Sequence, residues 1–327
     1  MANQSEEQNQ EQQQRPIVMV HRLPTFSFSF ANRLKTHYHL FDPLDSPDLI
    51  DLHRDSVRAI FCVGPSPVTS ELIARYPCLE IIVGSSAGVD HIDLRECRRR
   101  GIAVTNAGNA FSEAAAEYAV GLLIDALRRV SAGDRFVRAG LWPKAGEYPL
   151  GFKLGGKRVG IVGLGSIGSE VANRLAAFGC SIAYNSRKKK PSVPYPYYAK
   201  VCDLAVNSDV LVVCCALADE THHIINKDVM TALGKEGVII NVGRGKLVDE
   251  KELVQFLVRG EIGGAGLDVF ENEPYVPKEL FTMDNVVLSP HRAVLTQESF
   301  EAIQEVVVAN LEAFFANKPL VSPVQNE

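Results

Sequence analysis

From residue 17 onward, short apolar runs rich in Val and Ile alternate with longer segments whose apolar residues recur every three or four positions. The short runs are typical of strands buried in a parallel sheet, and the longer segments of helices that cover such a sheet. In the first third of the chain the predicted strands are Ile17–Val20, His39–Phe41, Ala59–Val63, Leu79–Val83 and Ala103–Thr105. The predicted helices there are Phe26–Thr36, Ser70–Tyr76 and Leu94–Arg99. Strands separated by helices indicate an α/β fold.

A long and almost wholly apolar helix is predicted over Ser112–Arg129, and the alternation then resumes. Because it is apolar nearly all round, this helix should be buried between domains or subunits. The later predicted strands are Arg158–Val162, Ser181–Tyr184, Val210–Cys215, Val238–Val242, Gly264–Val269 and Val286–Leu288. The later predicted helices are Ser169–Phe178, Lys227–Leu233, Glu250–Val258 and Gln297–Ala316.

A glycine-rich turn directly follows the strand predicted over Arg158–Val162. Gly163, Gly165 and Gly168 have the spacing G-x-G-x-x-G and lead into a predicted helix and a further strand. In this context the first glycine permits a tight turn, the second lets the backbone approach a pyrophosphate, and the third lets helix and strand pack closely. The start of the helix would offer free N–H groups to the phosphates. The sequence therefore predicts a dinucleotide-binding site.

The end of the second strand of this unit bears on the choice of dinucleotide. An NAD site usually has Asp or Glu about 20 residues beyond the glycines, to accept the ribose 2′-OH. Here Asn185 is followed by Ser186, Arg187 and the lysines 188–190. A hydroxyl and a guanidinium can bind a 2′-phosphate that a carboxylate would repel. We predict NADPH as the cofactor, with NADH weaker; the alternative is a solvated basic turn.

Residues before the long helix carry no such glycine fingerprint, so they are expected to form the substrate domain. The fingerprint domain looks complete before the last helix, which is therefore expected to return to the first domain. We predict a disordered tail over 1–15, a discontinuous substrate (catalytic) domain over 16–111 and 295–327, and a dinucleotide-binding domain over 112–294.

Composition narrows the class of protein further. The chain has 327 residues, 46% of them hydrophobic, and a net charge of −5 without long charged blocks, which gives no support for nucleic-acid binding. The seven cysteines form no CxxC pair and no Cys/His set at zinc spacing, so we expect reduced thiols and no metal site. The Gln/Glu-rich start does not resemble a transit peptide, the final VQNE is not a peroxisomal address, and no stretch is long enough to span a membrane. The expected location is the cytosol.

Three late strands end at polar residues, in the motifs NVGRG, GLDVFENEP and LSPH. Together with GIVGLGSIG, in this order and spacing, they resemble the D-isomer-specific 2-hydroxyacid dehydrogenases over essentially the whole chain from Ile17. The stretches NSRKK, ADETHHIIN and VPKELFTMDNVVLSPH resemble the glyoxylate/hydroxypyruvate and hydroxyphenylpyruvate reductases of plants within that family. The resemblance implies two Rossmann-like or flavodoxin-like parallel-sheet domains, an active site in the cleft between them, NADPH and a homodimer.

The resemblance also assigns roles to residues. Arg244 would bind the substrate carboxylate and polarise the keto group, His291 would donate the proton, and Glu273 would hold the imidazole. The loop of Ser86, Ala87 and Gly88 would take the substrate carboxylate through backbone N–H groups. Trp142 lies where some relatives reach into the neighbouring subunit. The implied cofactor contacts are Leu164, Gly165, Ser166, Ile167, Gly168, Ser186, Arg187, Lys188, Val242, Gly243, Arg244 and Asp268.

These residues predict an NADPH-dependent reduction of small 2-keto acids, namely hydroxypyruvate to D-glycerate and glyoxylate to glycolate. The alternative substrate is 4-hydroxyphenylpyruvate, and a third reading is a dinucleotide-sensing interaction protein. Arg292 follows His291 where many relatives have small residues, and it could face solvent or narrow the pocket. His91 could line the pocket or be solvated, and His222 and His223 are expected at the surface or near the adenosine.

Overall fold

The computed structural model describes residues 15–28 and 30–324. The chain divides into two compact units, one of Met1–Phe111 with Gln297–Glu327 and one of Ser112–Thr296. The second boundary lies two residues after the predicted one, because the final helix begins at Gln297. Of the predicted disordered tail, residues 1–14 lie outside the described part of the chain.

The discontinuous unit is built on a parallel sheet with the strand order β2-β1-β3-β4-β5 in the described residues. Its strands are β1 (Ile17–His21), β2 (His39–Phe41), β3 (Ala59–Cys62), β4 (Ile81–Gly84) and β5 (Ala103–Thr105). Its helices up to this point are α1 (Ala31–Lys35), α2 (Ile50–His53), α3 (Ser70–Arg75) and α4 (Leu94–Arg100). The strands β3 and β4 are wholly buried, as their continuous apolar sequences predict.

The helix predicted over Phe26–Thr36 is wrong in its first half, since α1 begins only at Ala31. Phe26, Phe28 and Phe30 are spaced two residues apart, a period that suits extended chain rather than a helix. The ring of Phe28 makes edge contacts with Phe30 and with Phe61 of β3, at centroid distances of 5.3 and 5.2 Å. Burial of these rings against the sheet therefore overrides the helical pattern in this segment.

The final helix of the chain, Gln297–Phe315, belongs to the discontinuous unit. Ile303, Val307 and Leu311 lie on its buried face, in one apolar cluster with residues of β1, β3 and β4. Residues four positions apart lie on the same side of a helix, so this spacing predicts the buried face from the sequence.

The continuous unit has a second parallel sheet, with the described strand order β11-β10-β9-β8-β6-β7. Its strands are β6 (Arg158–Val162), β7 (Ser181–Asn185), β8 (Val210–Val213), β9 (Val238–Asn241), β10 (Gly264–Leu267) and β11 (Val286–Leu288). Its helices are α5 (Ser112–Arg128), α6 (Val130–Arg138), α7 (Trp142–Ala145), α8 (Ser166–Ala177), α9 (Val201–Val206), α10 (Lys227–Leu233) and α11 (Glu250–Val258); the final helix of the chain is α12 (Gln297–Phe315). The two parallel sheets with their helices confirm the predicted α/β fold class.

The order of strands in this second sheet decides where a ligand can bind. The chain moves from β6 to β7 on one side and then crosses to β8 on the other side of β6. Loops at the carboxyl ends of β6 and β8 therefore diverge, and such a switch point opens a crevice for ligands. The neighbouring strands β9, β10 and β11 bring the motifs NVGRG, ENEP and SPH to the same edge.

Some helices of this unit differ from the sequence prediction. The fingerprint helix α8 begins at Ser166, three residues before the predicted Ser169, so Gly168 lies in its first turn. Helices α6, α7 and α9 were not predicted; α7 and α9 span only 4 and 6 residues, too few to show a helical period, whereas α6 has an amphipathic pattern that the prediction missed. Among the described residues, no helix is both long and apolar enough to cross a membrane.

Candidate active site

Each glycine of the fingerprint meets a different structural requirement. Gly163 has a φ of +98°, and a Cβ there would lie 2.5 Å from the backbone of Cys215. A Cβ on Gly168 would lie 2.1 Å from the carbonyl oxygen of Gly163, so both glycines are required by protein packing. A Cβ on Gly165, the residue before α8, would meet no atom of the described residues within 4 Å apart from its chain neighbours. Its side is open to a ligand, which fits a pyrophosphate at the helix N-terminus.

The predicted 2′-phosphate residues follow β7 directly. Asn185 is buried, and its amide nitrogen donates to the carbonyls of Tyr198 and Ala199 at 2.9 and 3.1 Å. Asn185 therefore faces the protein rather than a ribose. Arg187 and Lys188 are exposed, and Ser186 is partly buried. The loop 186–190 thus exposes cations and contains no carboxylate, and the hydroxyl of Ser186 donates to the carbonyl of Lys188 at 2.6 Å.

The turn after β9 is held in shape by Asn241. Its side chain accepts a hydrogen bond from the amide of Gly243 and donates one to the carbonyl of Arg244, at 3.1 and 2.9 Å. The Arg244 guanidinium donates to the carbonyl of Gly243 at 2.9 Å. Gly245 packs so closely on the ENEP turn that a Cβ there would lie 1.9 Å from the backbone of Phe270. The glycine fixes the position of Arg244 relative to that turn.

Glu273 and His291 form the hydrogen-bonded pair that the resemblance implies. Nδ1 of His291 and Oε2 of Glu273 are 2.8 Å apart, and Oε1 of Glu273 accepts from the amide of Phe270 at 3.0 Å. Burial alone would raise the pKa of Glu273, but the hydrogen bond and charge of His291, the Phe270 amide and the charge of Arg244 together lower it. The structure therefore brings all three predicted catalytic residues into one electrostatic cluster.

His291 has an unusual backbone conformation, with a φ of +53°. Non-glycine residues adopt this left-handed conformation rarely, and such residues gather at functional sites. The amide of His291 donates to the carbonyl of Asp268 at 2.8 Å, which helps to hold the turn. Because Nδ1 faces Glu273, Nε2 is the ring nitrogen that can face a substrate.

Asp268 organises the segment that carries His291. Its carboxylate is buried and accepts from the hydroxyl of Ser289 and the amides of Arg292 and Ala293, at 2.6, 2.7 and 2.9 Å. The hydroxyl of Tyr118 in α5 lies 2.6 Å from that of Ser289 and extends the network. The structure thus gives Asp268 a positioning role in the protein; its implied contact with the cofactor stays a prediction.

A second histidine, His223, was expected at the surface or near the adenosine, but it is partly buried and supports the ENEP turn. His223, whose φ is +51°, has Nε2 2.7 Å from Oε1 of Glu271 and Nδ1 3.8 Å from Oδ2 of Asp249. Its amide donates to the carbonyl of Lys246 at 2.8 Å. The two carboxylates face opposite ring nitrogens, an arrangement for hydrogen bonding rather than for chelating one metal ion. His223 joins the loop before it, the start of α11 and the turn that carries Glu273.

In the discontinuous unit, the predicted carboxylate loop follows β4. The carbonyl of Ser86 accepts from the amide of Ala107 at 2.9 Å, and the carbonyl of Ala87 accepts from the Asn106 side chain at 3.0 Å. In a trans peptide the N–H points away from the carbonyl that precedes it. The amides of Ala87 and Gly88 are therefore directed away from residues 106–107, as anion binding by this loop requires.

The segment 130–152, which follows α5 and contains α6 and α7, exposes apolar side chains. Trp142 is 64% exposed, and Val137, Leu150 and Phe152 are also exposed. In the same unit, a groove of about 560 Å³ lies between α5 and the end of β11. Its lining includes Arg292, whose side chain is exposed.

Comparisons with known proteins agree with this geometry. Residues 120–293 match the family model described as D-isomer specific 2-hydroxyacid dehydrogenase, NAD binding domain. The chain is 57% identical over 314 residues to a glyoxylate/hydroxypyruvate reductase of Arabidopsis thaliana, covering 95% of this chain and 97% of the relative. It is 50% identical to the hydroxyphenylpyruvate reductase of Plectranthus scutellarioides over 277 residues, covering 85% of this chain and 88% of the relative.

Among solved structures, the NADPH-dependent glyoxylate/hydroxypyruvate reductase of Sinorhizobium meliloti, in complex with NADP and malonate, matches with a TM-score of 0.87. The two chains are 37% identical, and the match covers 95% of this chain and 97% of that one. The motifs, the fold and the extent of these matches agree, and the chain belongs to the D-isomer specific 2-hydroxyacid dehydrogenase family.

Proposed function

We propose that this protein reduces small 2-keto acids, hydroxypyruvate to D-glycerate and glyoxylate to glycolate, with NADPH as the preferred reductant. The single observation that carries the proposal is the hydrogen-bonded pair of His291 and Glu273 beside Arg244. The reductases of Arabidopsis thaliana and Sinorhizobium meliloti support the substrate class by their similarity to this chain.

The roles of the three residues follow from their chemistry. Arg244 offers a planar fork of N–H donors, which binds a substrate carboxylate bidentately and draws charge towards the keto oxygen. His291 donates a proton from Nε2 to the keto oxygen, because Nδ1 is bonded to Glu273. The low pKa of Glu273 keeps it ionised, and its charge stabilises the protonated imidazole before the transfer. The bound nicotinamide would supply the hydride to the keto carbon.

The backbone of Ala87 and Gly88 is proposed to hold the substrate carboxylate. The carbonyls of Ser86 and Ala87 accept hydrogen bonds from Ala107 and Asn106. The amides of Ala87 and Gly88 therefore point away from residues 106–107, which supports this role.

The proposed cofactor is NADPH, bound with its pyrophosphate over Gly165 and its 2′-phosphate at Ser186, Arg187 and Lys188. The open side of Gly165 and the absence of a carboxylate in the described loop 186–190 support this choice. Arg187→Ala should raise the KM for NADPH about tenfold or more and leave that for NADH nearly unchanged. Equal effects on both cofactors would contradict the assignment.

The experiment that tests the function is a set of initial rates with purified protein. Hydroxypyruvate, glyoxylate and 4-hydroxyphenylpyruvate are compared, each with NADPH and with NADH. Hydroxypyruvate with NADPH should give the highest kcat/KM, and His291→Ala should lose turnover while still binding NADPH. No turnover of any of these acids despite tight NADPH binding would favour a dinucleotide-sensing protein instead.

Reduction of 4-hydroxyphenylpyruvate is the second candidate, and the similarity to the hydroxyphenylpyruvate reductase favours it specifically. It needs a site that accepts an aromatic side chain. The highest kcat/KM with this acid would make it the function. Arg292→Ala then tests the neighbouring side chain, since a wider site would raise activity on the aromatic acid alone.

We propose that the protein acts as a homodimer through the face that carries α6 and α7. The exposure of Val137, Trp142 and Leu150 supports this, since large apolar side chains in water can mark a protein–protein interface. Trp142 is proposed to reach the neighbouring subunit. Light scattering at micromolar concentration should give twice the chain mass of 35.8 kDa, and a monomer would contradict the proposal.

We propose the cytosol as the location of the enzyme. All seven cysteines are free thiols, which suits a reducing compartment. Imaging of the full-length protein with a fluorescent tag should show diffuse cytosolic signal, and confinement to an organelle would contradict it.

A further inference from the structure

The basic loop 186–190 is tied to the protein by the side-chain hydroxyls of two tyrosines. Tyr184, in β7, is fully buried, and its hydroxyl accepts from the amide of Lys190 at 2.7 Å and lies 3.4 Å from the carbonyl of the same residue. The hydroxyl of Tyr197 donates to the carbonyl of Ser186 at 3.2 Å. Each end of the loop is therefore bonded to a phenol from outside the loop.

The two tyrosines form one unit. Their rings are 5.4 Å apart, and the chain segments that carry them pair as a short parallel bridge. The amide of Tyr184 donates to the carbonyl of Pro196, and the amide of Tyr198 donates to the carbonyl of Tyr184, both at 2.9 Å. The segment after the loop is thus fixed to β7, and Tyr197 is held beside Tyr184.

Within the loop, the hydroxyl of Ser186 donates to the carbonyl of Lys188 at 2.6 Å. Arg187, Lys188, Lys189 and Lys190 are four adjacent cations, and like charges at neighbouring positions repel one another. Without hydrogen bonds to the rest of the protein, such a loop would be disordered. Part of the binding free energy of a ligand would then be lost in ordering the loop. The phenol bonds supply that order before any ligand arrives.

We propose that the hydroxyls of Tyr184 and Tyr197 act as positioning groups that pre-organise loop 186–190 for a 2′-phosphate, and so set the preference for NADPH over NADH. The inference rests on the proposed function, because it assumes that this loop binds the 2′-phosphate. Neither hydroxyl needs to touch the cofactor; each acts through the backbone of a loop residue.

The test measures binding by calorimetry with two probes that differ only in the 2′-phosphate, adenosine 2′,5′-bisphosphate and AMP. The variants are Tyr184→Phe, Tyr197→Phe and the double variant, each of which removes only a hydroxyl. Tyr195→Phe is the matched control, since among the described residues the Tyr195 hydroxyl makes no hydrogen bond to the loop. Kd values for NADPH and NADH, with the ratio of their kcat/KM values, provide a second readout.

Each single variant should weaken binding of adenosine 2′,5′-bisphosphate about fivefold and the double variant about twentyfold, with AMP binding changed less than about twofold. A general loss of structure would weaken both probes, so the ratio separates positioning from stability. A wild-type protein that prefers the bisphosphate, with variants that keep the full preference, would overturn this inference alone. A wild-type protein that binds both probes equally would overturn the NADPH proposal and the inference with it.

Discussion

Replacement of Glu273 by Gln removes the negative charge beside His291 and keeps the shape of the side chain. Glu273 meets the amide of Phe270 with Oε1 and the imidazole with Oε2, whereas Gln has one carbonyl oxygen and can accept from only one of them. Because the pKa of Glu273 is lowered, the residue is ionised at neutral pH, and the variant loses a full negative charge. Charges about 4 Å apart interact by about 4 kcal/mol at an effective dielectric constant near 20.

This interaction energy must be reduced because water screens the two charges, since the side chains of His291 and Glu273 are 38% and 36% exposed. A screened interaction of about 1.4 kcal/mol corresponds to about a tenfold change in rate. At neutral pH, kcat/KM for Glu273→Gln should therefore be about tenfold lower than for the wild type. The difference should shrink as the pH falls through the lowered pKa of Glu273, because the wild-type carboxylate then loses its charge as well.

The assay follows NADPH absorbance with hydroxypyruvate across the pH range. Glu279→Gln is the control, because Glu279 is an exposed carboxylate outside the cluster. The reasoning is refuted if Glu273→Gln keeps the wild-type pH profile, or if it loses activity equally at every pH.

Other substitutions test separate contacts. Arg244→Lys keeps the charge but loses the bidentate fork, and kcat/KM should fall at least about 100-fold; a loss below tenfold would contradict bidentate binding. His223→Leu removes the tie to the ENEP turn, so kcat should fall about fivefold with the KM for NADPH unchanged, whereas exposed His222→Leu should have no effect. Gly168→Ala places a Cβ 2.1 Å from the carbonyl of Gly163 and should lower the free energy of unfolding by about 3 kcal/mol in thermal denaturation; an unchanged Tm would show that the turn can adapt.

The sequence predicts most of the fold because strands β3, β4, β8 and β9 are continuous apolar runs. Such runs are typical of strands that are covered by helices on both faces of a parallel sheet. The helix prediction is wrong for the segment 26–30 because packing of Phe28 against Phe61 is a long-range contact. A local hydrophobic pattern gives no information about such a contact. Helix α7 spans only 4 residues, which is too short to show a period, whereas the amphipathic pattern of α6 was present in the sequence and was missed.

The site is predictable where a polar residue ends a strand. Arg244, Glu273 and His291 follow β9, β10 and β11, and the order of those strands brings their turns together. Gly245 and His223 show the limit of this reasoning, since a close backbone approach and a hydrogen bond across 48 positions have no local sequence signal. Tyr184 likewise reads as a core residue of β7 until its hydroxyl is seen to hold Lys190.

The most direct test of the central claim is to identify the product formed from hydroxypyruvate, by chiral chromatography of a reaction run to completion with NADPH. The proposed chemistry predicts D-glycerate in equal molar amount to the NADPH consumed, with none formed by His291→Ala. L-Glycerate, or loss of NADPH without glycerate, would contradict it.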